Sequence, residues 1–193
     1  MRHFPSHGLP RQRTMTDMNQ LQLHAPTSAD IAALLDFELA SRAHFEQWVT
    51  ARAESYYTID GIAAAIEHAV RERAQDTSHQ YLAKIDGQIV GRINLTGVTR
   101  PYFNKAQLGY RVGAPFGGRG YARQMMTLLQ EQAFGELDLW RLEATVRPPN
   151  LGSIAVLQHG GFVQYGQSKN AMRLNNSWYD LLYFERRNPQ LDA

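Results

Sequence analysis

The feature that most constrains this chain is a glycine-rich turn that joins two different apolar periods. Before it, Ala106, Leu108, Tyr110 and Val112 fall on one face and Gln107, Gly109 and Arg111 on the other, the period of a strand. After it, Ala122, Met125, Met126, Leu129 and Ala133 keep helical spacing from Tyr121 to Phe134, and Gly135 ends the run. The turn itself reads Gly113-Ala114-Pro115-Phe116-Gly117-Gly118-Arg119-Gly120-Tyr121-Ala122. A strand that passes through glycines into a helix can aim backbone N–H groups and the positive end of the helix dipole at a phosphate. The glycines matter because they admit positive φ and let backbone approach a ligand closely.

The rest of the chain surrounds this turn with both kinds of element. A short strand is expected near Leu21 to Leu23, then a helix opened by Thr27-Ser28-Ala29-Asp30 with Ile31, Leu34, Leu35 and Leu39 on its apolar stripe. A second helix is expected from Asp60 to Ala74. Tyr81 to Ile85 and Gln88 to Thr96 flank Asp86-Gly87, a hairpin signal, with Ile89, Gly91, Ile93 and Leu95 alternating onto one face. Trp140 to Val146 alternates again, Ser153 to Gln158 forms a short helix stopped by Gly160-Gly161, and strands follow around Phe162 to Tyr165 and Tyr179 to Glu185. The order implies an α/β single domain with a mixed, mostly antiparallel sheet flanked by helices.

Composition narrows the class further. The 193 residues suit one domain, and 44% hydrophobic with 10% aromatic residues is too apolar for a disordered chain. With no cysteine, a disulfide framework, a cysteine-ligated zinc site and a covalent thiol mechanism are excluded, and a reducing cytoplasm fits. A net charge of +2 is far from a nucleic-acid-binding surplus, and no apolar run approaches the roughly 18 to 20 residues of a membrane span. His44 and His159 lack a second ligand at metal spacing, so no metal is expected. Residues 1–20 hold arginines and prolines without an apolar signal core and read as a flexible tail, with Met15 or Met18 as candidate starts. The domain is expected over residues 21–187, with 188–193 as a C-terminal tail.

Three phosphate-binding patterns compete for the turn. A Walker A loop needs lysine and a hydroxyl where Arg119-Gly120 stand, and that reading fails. A dinucleotide fingerprint needs a third glycine where Arg123 stands, within a parallel unit that the preceding hairpin contradicts. Gly117-Gly118-Arg119-Gly120-Tyr121-Ala122 instead resembles the acyl-CoA pyrophosphate loop of the GNAT N-acetyltransferases, written [QR]-x-x-G-x-[GA], with Gly117 at the first position where Gln or Arg is commonest. The stretch Trp140-Arg-Leu-Glu-Ala-Thr-Val-Arg-Pro-Pro-Asn150-Leu-Gly-Ser153, followed by Gly161-Phe162, is similar to the strand, N-x-x-S and "GF" segments of the ribosomal-protein-alanine type in that family. Ala106 to Tyr110, Trp178 to Asp180 and Ser41 to Trp48 resemble its other motifs, so the likeness covers about residues 20 to 187 in order.

The resemblance implies a GNAT fold, acetyl-CoA as co-substrate, and direct acetyl transfer to a primary amine, usually the α-amine of a protein or peptide. Such an enzyme must juxtapose two substrates, remove an ammonium proton, steady an oxyanion and protonate a leaving thiolate. It also implies roles by residue. Tyr110, Arg111 and Val112 would line the pantetheine arm through their backbone. Gly117, Gly118, Arg119, Gly120, Tyr121, Ala122 and Arg123 would receive the pyrophosphate, and Asn150 would bind the pantetheine. Arg123 on a solvated helix face and Asn150 as a helix cap are the alternatives. Glu143 would be the general base or an ion-pair partner of Arg141 or Arg147. Ser153 would be the thiolate acid or a helix-capping residue, since Leu157 occupies the position of the tyrosine acid of many relatives. Glu46, Glu54, Tyr56 and Tyr57 could recognise the acceptor ammonium by charge and ring faces, or serve packing. A small amine as acceptor, or an acyl-CoA-binding module without catalysis, are the alternative functions. Monomer and homodimer both remain open.

Overall fold

A computed structural model describes residues 20–190; the tail expected over residues 1–20 and the last three residues lie, but for Gln20, outside them. Among the described residues, four α-helices and seven strands build one mixed sheet with helices on both faces. In chain order they are β1 (Gln22–His24), α1 (Ile31–Glu46), α2 (Ile59–Ala74), β2 (Ser78–Ile85), β3 (Gln88–Thr99), β4 (Lys105–Val112), α3 (Tyr121–Glu131), β5 (Arg141–Val146), α4 (Leu151–His159), β6 (Val163–Leu174) and β7 (Ser177–Arg187). The strand order is β1-β2-β3-β4-β5-β7-β6. Every neighbouring pair is antiparallel except β4 with β5.

Two apolar cores lie on opposite faces, as strand alternation requires. Met125, Met126 and Leu129 of α3 and Leu157 of α4 pack on Tyr81, Ala83, Ile93, Leu95, Leu108 and Leu142. Leu34, Phe37 and Phe45 of α1 and Ile62 and Ile66 of α2 pack on Leu82 and Ile89. Burial of such aliphatic side chains stabilises a fold by about 1.5–3 kcal/mol each.

Departures from the expected pattern have local causes. Ile89 does not share a face with Ile93 and Leu95. Ala83 pairs with Gly91 but Lys84 pairs with Ile89, so Val90 is an extra residue that bulges β3. Val90 takes the α3 face and Ile89 the α1 face. The α3 helix ends at Glu131 and runs on as one π turn over Gln132–Glu136, which carries it past the glycine expected to stop it. Phe162 is buried before β6 begins, and that strand reaches Leu174, well beyond Tyr165. Asn188, expected in the tail, is buried and donates its N–H to Trp140 O at 2.8 Å, so the fold extends past Arg187.

The position of the site follows from one parallel pair. β4 and β5 are in register only at Lys105–Arg141, Ala106–Leu142 and Gln107–Glu143. From Leu108 onward β4 keeps β3 on one edge and has no strand partner on the other among the described residues. The two strands splay, and the gap between them passes from one face of the sheet to the other.

Candidate active site

A cleft of about 730 Å³ occupies that gap. On the α3–α4 side it is walled by Tyr110, Val112, Gly117, Gly118, Gly120, Tyr121, Ala122, Arg123, Asn150 and Ser153. On the α1 side it is walled by His44, Phe45, Trp48, Arg92, Asn94 and Arg111.

The turn before α3 has the geometry of an anion cradle. Gly118 and Gly120 have φ of +73° and +79°, values that L side chains adopt only with strain. Gly120 caps α3 without a side chain, and the N–H groups of Arg123 and Gln124 both return to Gly120 O. Those from Gly118 to Ala122 have no hydrogen-bond acceptor among the described residues. A Cβ at Gly118 or Gly120 would meet nothing within 4 Å, so the concavity is open. Consecutive free N–H groups at a helix N-terminus form a phosphate nest, and Arg123 beside them adds a cation. Arg119 stands apart: it does not line the cleft, and its guanidinium lies 5.9 Å from the Phe116 ring centre. The unpaired edge of β4 beyond Leu108 supplies backbone donors and acceptors along the neighbouring wall. The nest and this edge fit the diphosphate and the amide-bearing arm of coenzyme A.

Where the strands part, Tyr110 Oη donates to Ser153 Oγ at 3.1 Å. Burial pushes the Tyr110 phenol up, with the Ser153 hydrogen bond opposing, so the ring keeps its proton at neutral pH. Ser153 sits in the first turn of α4, where Asn150 Oδ1 accepts its N–H at 3.1 Å. Asn150 therefore caps the helix while also facing the cleft, and Ser153 does not cap it.

Two sets of expected residues lie elsewhere. Glu143 does not line the cleft. Its side chain is mostly buried in an ion-pair cluster, with Lys105 Nζ 2.9 Å from Oε2 and Arg141 Nη2 2.7 Å from Oε1. Its observed contacts are those of the ion-pair alternative, with Arg141 as the partner and Lys105 added. The expected ammonium site is also internally satisfied. Arg42 binds both Glu46 and Glu54, which holds the Glu54 carboxyl below its ordinary range, and Tyr57 Oη donates to Glu46. Tyr56 Oη donates to Glu38 at 3.2 Å and accepts from Arg92 at 2.8 Å. None of these acids or rings reaches the cleft wall.

On the far wall Arg111 was expected to act only through its backbone, and Arg92 and Asn94 had no expected role. Trp48 and Phe45 lie within the segment expected near the acceptor, but Arg92 and Asn94 lie inside an apolar strand. The signal available for them was their polarity at alternate positions of β3, facing α1 rather than the α3 core. Among the described residues no group of three or more His, Cys, Asp or Glu is placed to hold a metal.

A sheet splayed between its fourth and fifth strands, with a phosphate nest on one side of the gap and an open wall on the other, is the plan of an acyl-CoA transferase. The Acetyltransferase (GNAT) domain family matches residues 20–163, and the chain belongs to that family. It is 30% identical over 148 residues to "Probable N-acetyltransferase YjcK" of Bacillus subtilis (strain 168), covering 76% of this chain and 82% of that one. It is 25% identical over 176 residues to the [Ribosomal protein uS5]-alanine N-acetyltransferase of Escherichia coli (strain K12), covering 90% and 89%. In structure it is similar to Mycobacterium smegmatis RimJ in complex with CoA-disulfide, with a TM-score of 0.83, 26% identity, and 90% and 84% of the two chains covered.

Proposed function

We propose that this acetyl-CoA-dependent N-acetyltransferase acts on the α-amine of a protein or peptide N-terminus, by direct attack within a ternary complex. The reading of direct transfer is carried by one observation. The cleft is continuous from the α3 nest, past Tyr110 and Ser153, to the wall of Phe45, Trp48, Arg92 and Asn94. Two substrates entering from opposite faces of the sheet would meet where β4 and β5 part, and such juxtaposition is worth several kcal/mol of barrier. An acetylated protein thiol has no place in the route, because the chain has no cysteine. The acceptor class is supported by the similarity to the uS5-alanine enzyme over nine-tenths of the chain.

When bound, acetyl-CoA supplies the acyl group as a reactive thioester. The residues that would hold it are the nest from Gly118 to Ala122, Arg123, the β4 edge through Val112, and Asn150. Ser153 Oγ, already accepting from Tyr110 Oη, has its own hydrogen free to give into the cleft. Tyr110 can then pass its proton to Ser153, which leaves the charge on the phenol oxygen until the proton shed by the acylated nitrogen returns to it. Glu143 has no part in this assignment.

Acetyl-CoA-dependent thiol release against Ala-, Ser- and Thr-starting peptides, with polyamines and aminoglycosides alongside, tests the acceptor. Turnover on the peptides, with mass spectrometry locating the acetyl group on the α-amine, is the expected result. Turnover confined to the small amines would reassign the acceptor.

A further inference from the structure

The wall of the cleft facing α1 carries two guanidiniums that share one carboxylate. Arg92 and Arg111 stand directly opposite each other on β3 and β4, an arrangement in which like charges repel. Glu38, buried on α1, lies between them. Its Oε1 binds Arg92, whose guanidinium is completed by Tyr56 and Gln80. Its Oε2 lies 3.6 Å from Arg111 Nη1 and accepts no hydrogen bond. Arg111 donates no side-chain hydrogen bond among the described residues and rests 4.9 Å from the Phe45 ring centre. Burial pulls its guanidinium below the ordinary arginine value, Glu38 opposes this, and Arg92 and Arg52 add to it. Arg92 and Arg111 thus share the single carboxylate of Glu38, since Glu46 and Glu54 are both taken by Arg42, and this pair of guanidiniums carries one positive charge more than its acid supplies.

A second unpaired group stands on the same wall. Asn94 Oδ1 is buried, lines the cleft and has no donor. Asn94 pairs with Gly109, which neighbours Arg111 two residues along β4. Gly109 also lines the cleft, and a Cβ there would meet nothing within 4 Å, so open space separates the lone acceptor from the lone cation. Diagonal strand neighbours on one face lie about 7–8 Å apart, the span of a small molecule carrying both a donor and an anion.

We propose that Asn94 and the Arg111 side chain form a two-point clamp that selects acceptors whose amine has a carboxylate close by, with Asn94 Oδ1 accepting from the amine and Arg111 binding the carboxylate. This rests on the reading of the cleft as an N-acetyltransferase site and adds a charge preference to its acceptor. A planar guanidinium binds a carboxylate through two parallel hydrogen bonds, and one negative charge is what the surrounding ion pairs lack. Two sources supply that chemistry: an acidic second residue of a peptide N-terminus, or the α-carboxylate of a free amino acid.

The experiment compares kcat/KM for Ala-Glu-, Ala-Gln- and Ala-Lys-starting peptides, and for alanine against alaninamide, in the wild-type protein and in Arg111→Gln and Arg111→Lys. The expected result is a preference of about tenfold or more for Ala-Glu over Ala-Gln, which collapses toward one in Arg111→Gln and is partly kept in Arg111→Lys. The ratio is internal to each variant, so a general loss of activity does not mimic the effect. A charge-blind wild type, or a ratio unchanged in Arg111→Gln, overturns the clamp and leaves the peptide reading standing. Turnover of alanine over alaninamide with no peptide used overturns the peptide reading and keeps the clamp. Calorimetric titration of N-acetylated Ala-Glu and Ala-Gln peptides into CoA-saturated protein reads the same preference without turnover. Equal affinities there overturn the clamp.

Discussion

Ser153 and Glu143 are the two side chains with catalytic expectations, and their surroundings separate them. Ser153 stands on the cleft wall with a neutral donor behind it, whereas Glu143 is mostly buried between Lys105 and Arg141 outside the cleft. Removing a positioned proton donor costs about 10²-fold in rate. Ser153→Ala is therefore expected to lower kcat by about that factor with little change in KM for acetyl-CoA, measured as thiol release at saturating acceptor. Unchanged kcat would leave Ser153 with a structural role alone. Glu143→Gln is expected to keep turnover within about fivefold of wild type, about 1 kcal/mol of transition-state energy. Its effect should fall on stability, with a loss of about 1 kcal/mol in urea unfolding as its charge-assisted hydrogen bonds weaken. A turnover loss of hundreds of fold with unchanged stability would restore it as the base.

On the proposed reading, cofactor binding depends on the loop and helix that form the nest. Gly120 has φ of +79° and faces open space, so a side chain there meets strain of about 1–2 kcal/mol and then fills the nest. Gly120→Glu also sets a carboxylate against the site of the diphosphate. Acetyl-CoA binding by calorimetry is expected to be lost while circular dichroism keeps the native helix and strand signal; tight binding by this variant would refute the nest. This element was legible in the sequence because strand period, glycines and helix period are local signals. The bulge at Val90 was not, since only pairing with β2 shows that one residue of β3 is extra. The extent of β6 was hidden in the same way: its middle, Gly166 to Asn170, carries no apolar side chain, and the strand continues because β7 pairs with it on both sides of that stretch. Arg111 was expected at the cleft through its backbone, but the side-chain wall it forms with Arg92 and Asn94 escaped a residue-by-residue reading because these residues lie on two strands and meet only across the register. Glu46, Glu54, Tyr56 and Tyr57 looked like an ammonium site in isolation, but Arg42 and Arg92, distant or unremarkable in the sequence, take up their polar groups.

Across the whole molecule, α1 is the wall that must be held against the sheet for the cleft to exist. It is tied along its length by side chains of opposite type. Asp30, just before it, binds Lys84 of β2, and Glu38 binds Arg92 of β3. Ser41 Oγ accepts the Ala114 N–H of the nest loop at 3.2 Å, and Gln47 O accepts from Arg147 beyond β5 at 3.1 Å. Burial alone would raise the Asp30 carboxyl, but hydrogen bonds from Lys84 and Thr27 outweigh it and hold the group below its ordinary 3.8. A carboxyl lowered in the folded state contributes stability that is fully present above its unfolded value and is lost as pH falls through its folded value. Asp76 is lowered too: burial raises it, and hydrogen bonds from Arg100 and His79 overcome that, so its contribution has the same sign. Urea unfolding midpoints are thus expected to stay level down to about pH 4 and to fall below it. In Asp30→Asn the midpoint at neutral pH should be lower and the fall on acidification shallower, because the amide has no proton to gain. Parallel curves for the two proteins would mean that the Asp30–Lys84 tie contributes nothing to the acid sensitivity of the fold. A shallower curve accompanied by weaker acceptor binding at neutral pH, with acetyl-CoA binding retained, would show that the same tie keeps the α1 wall in place.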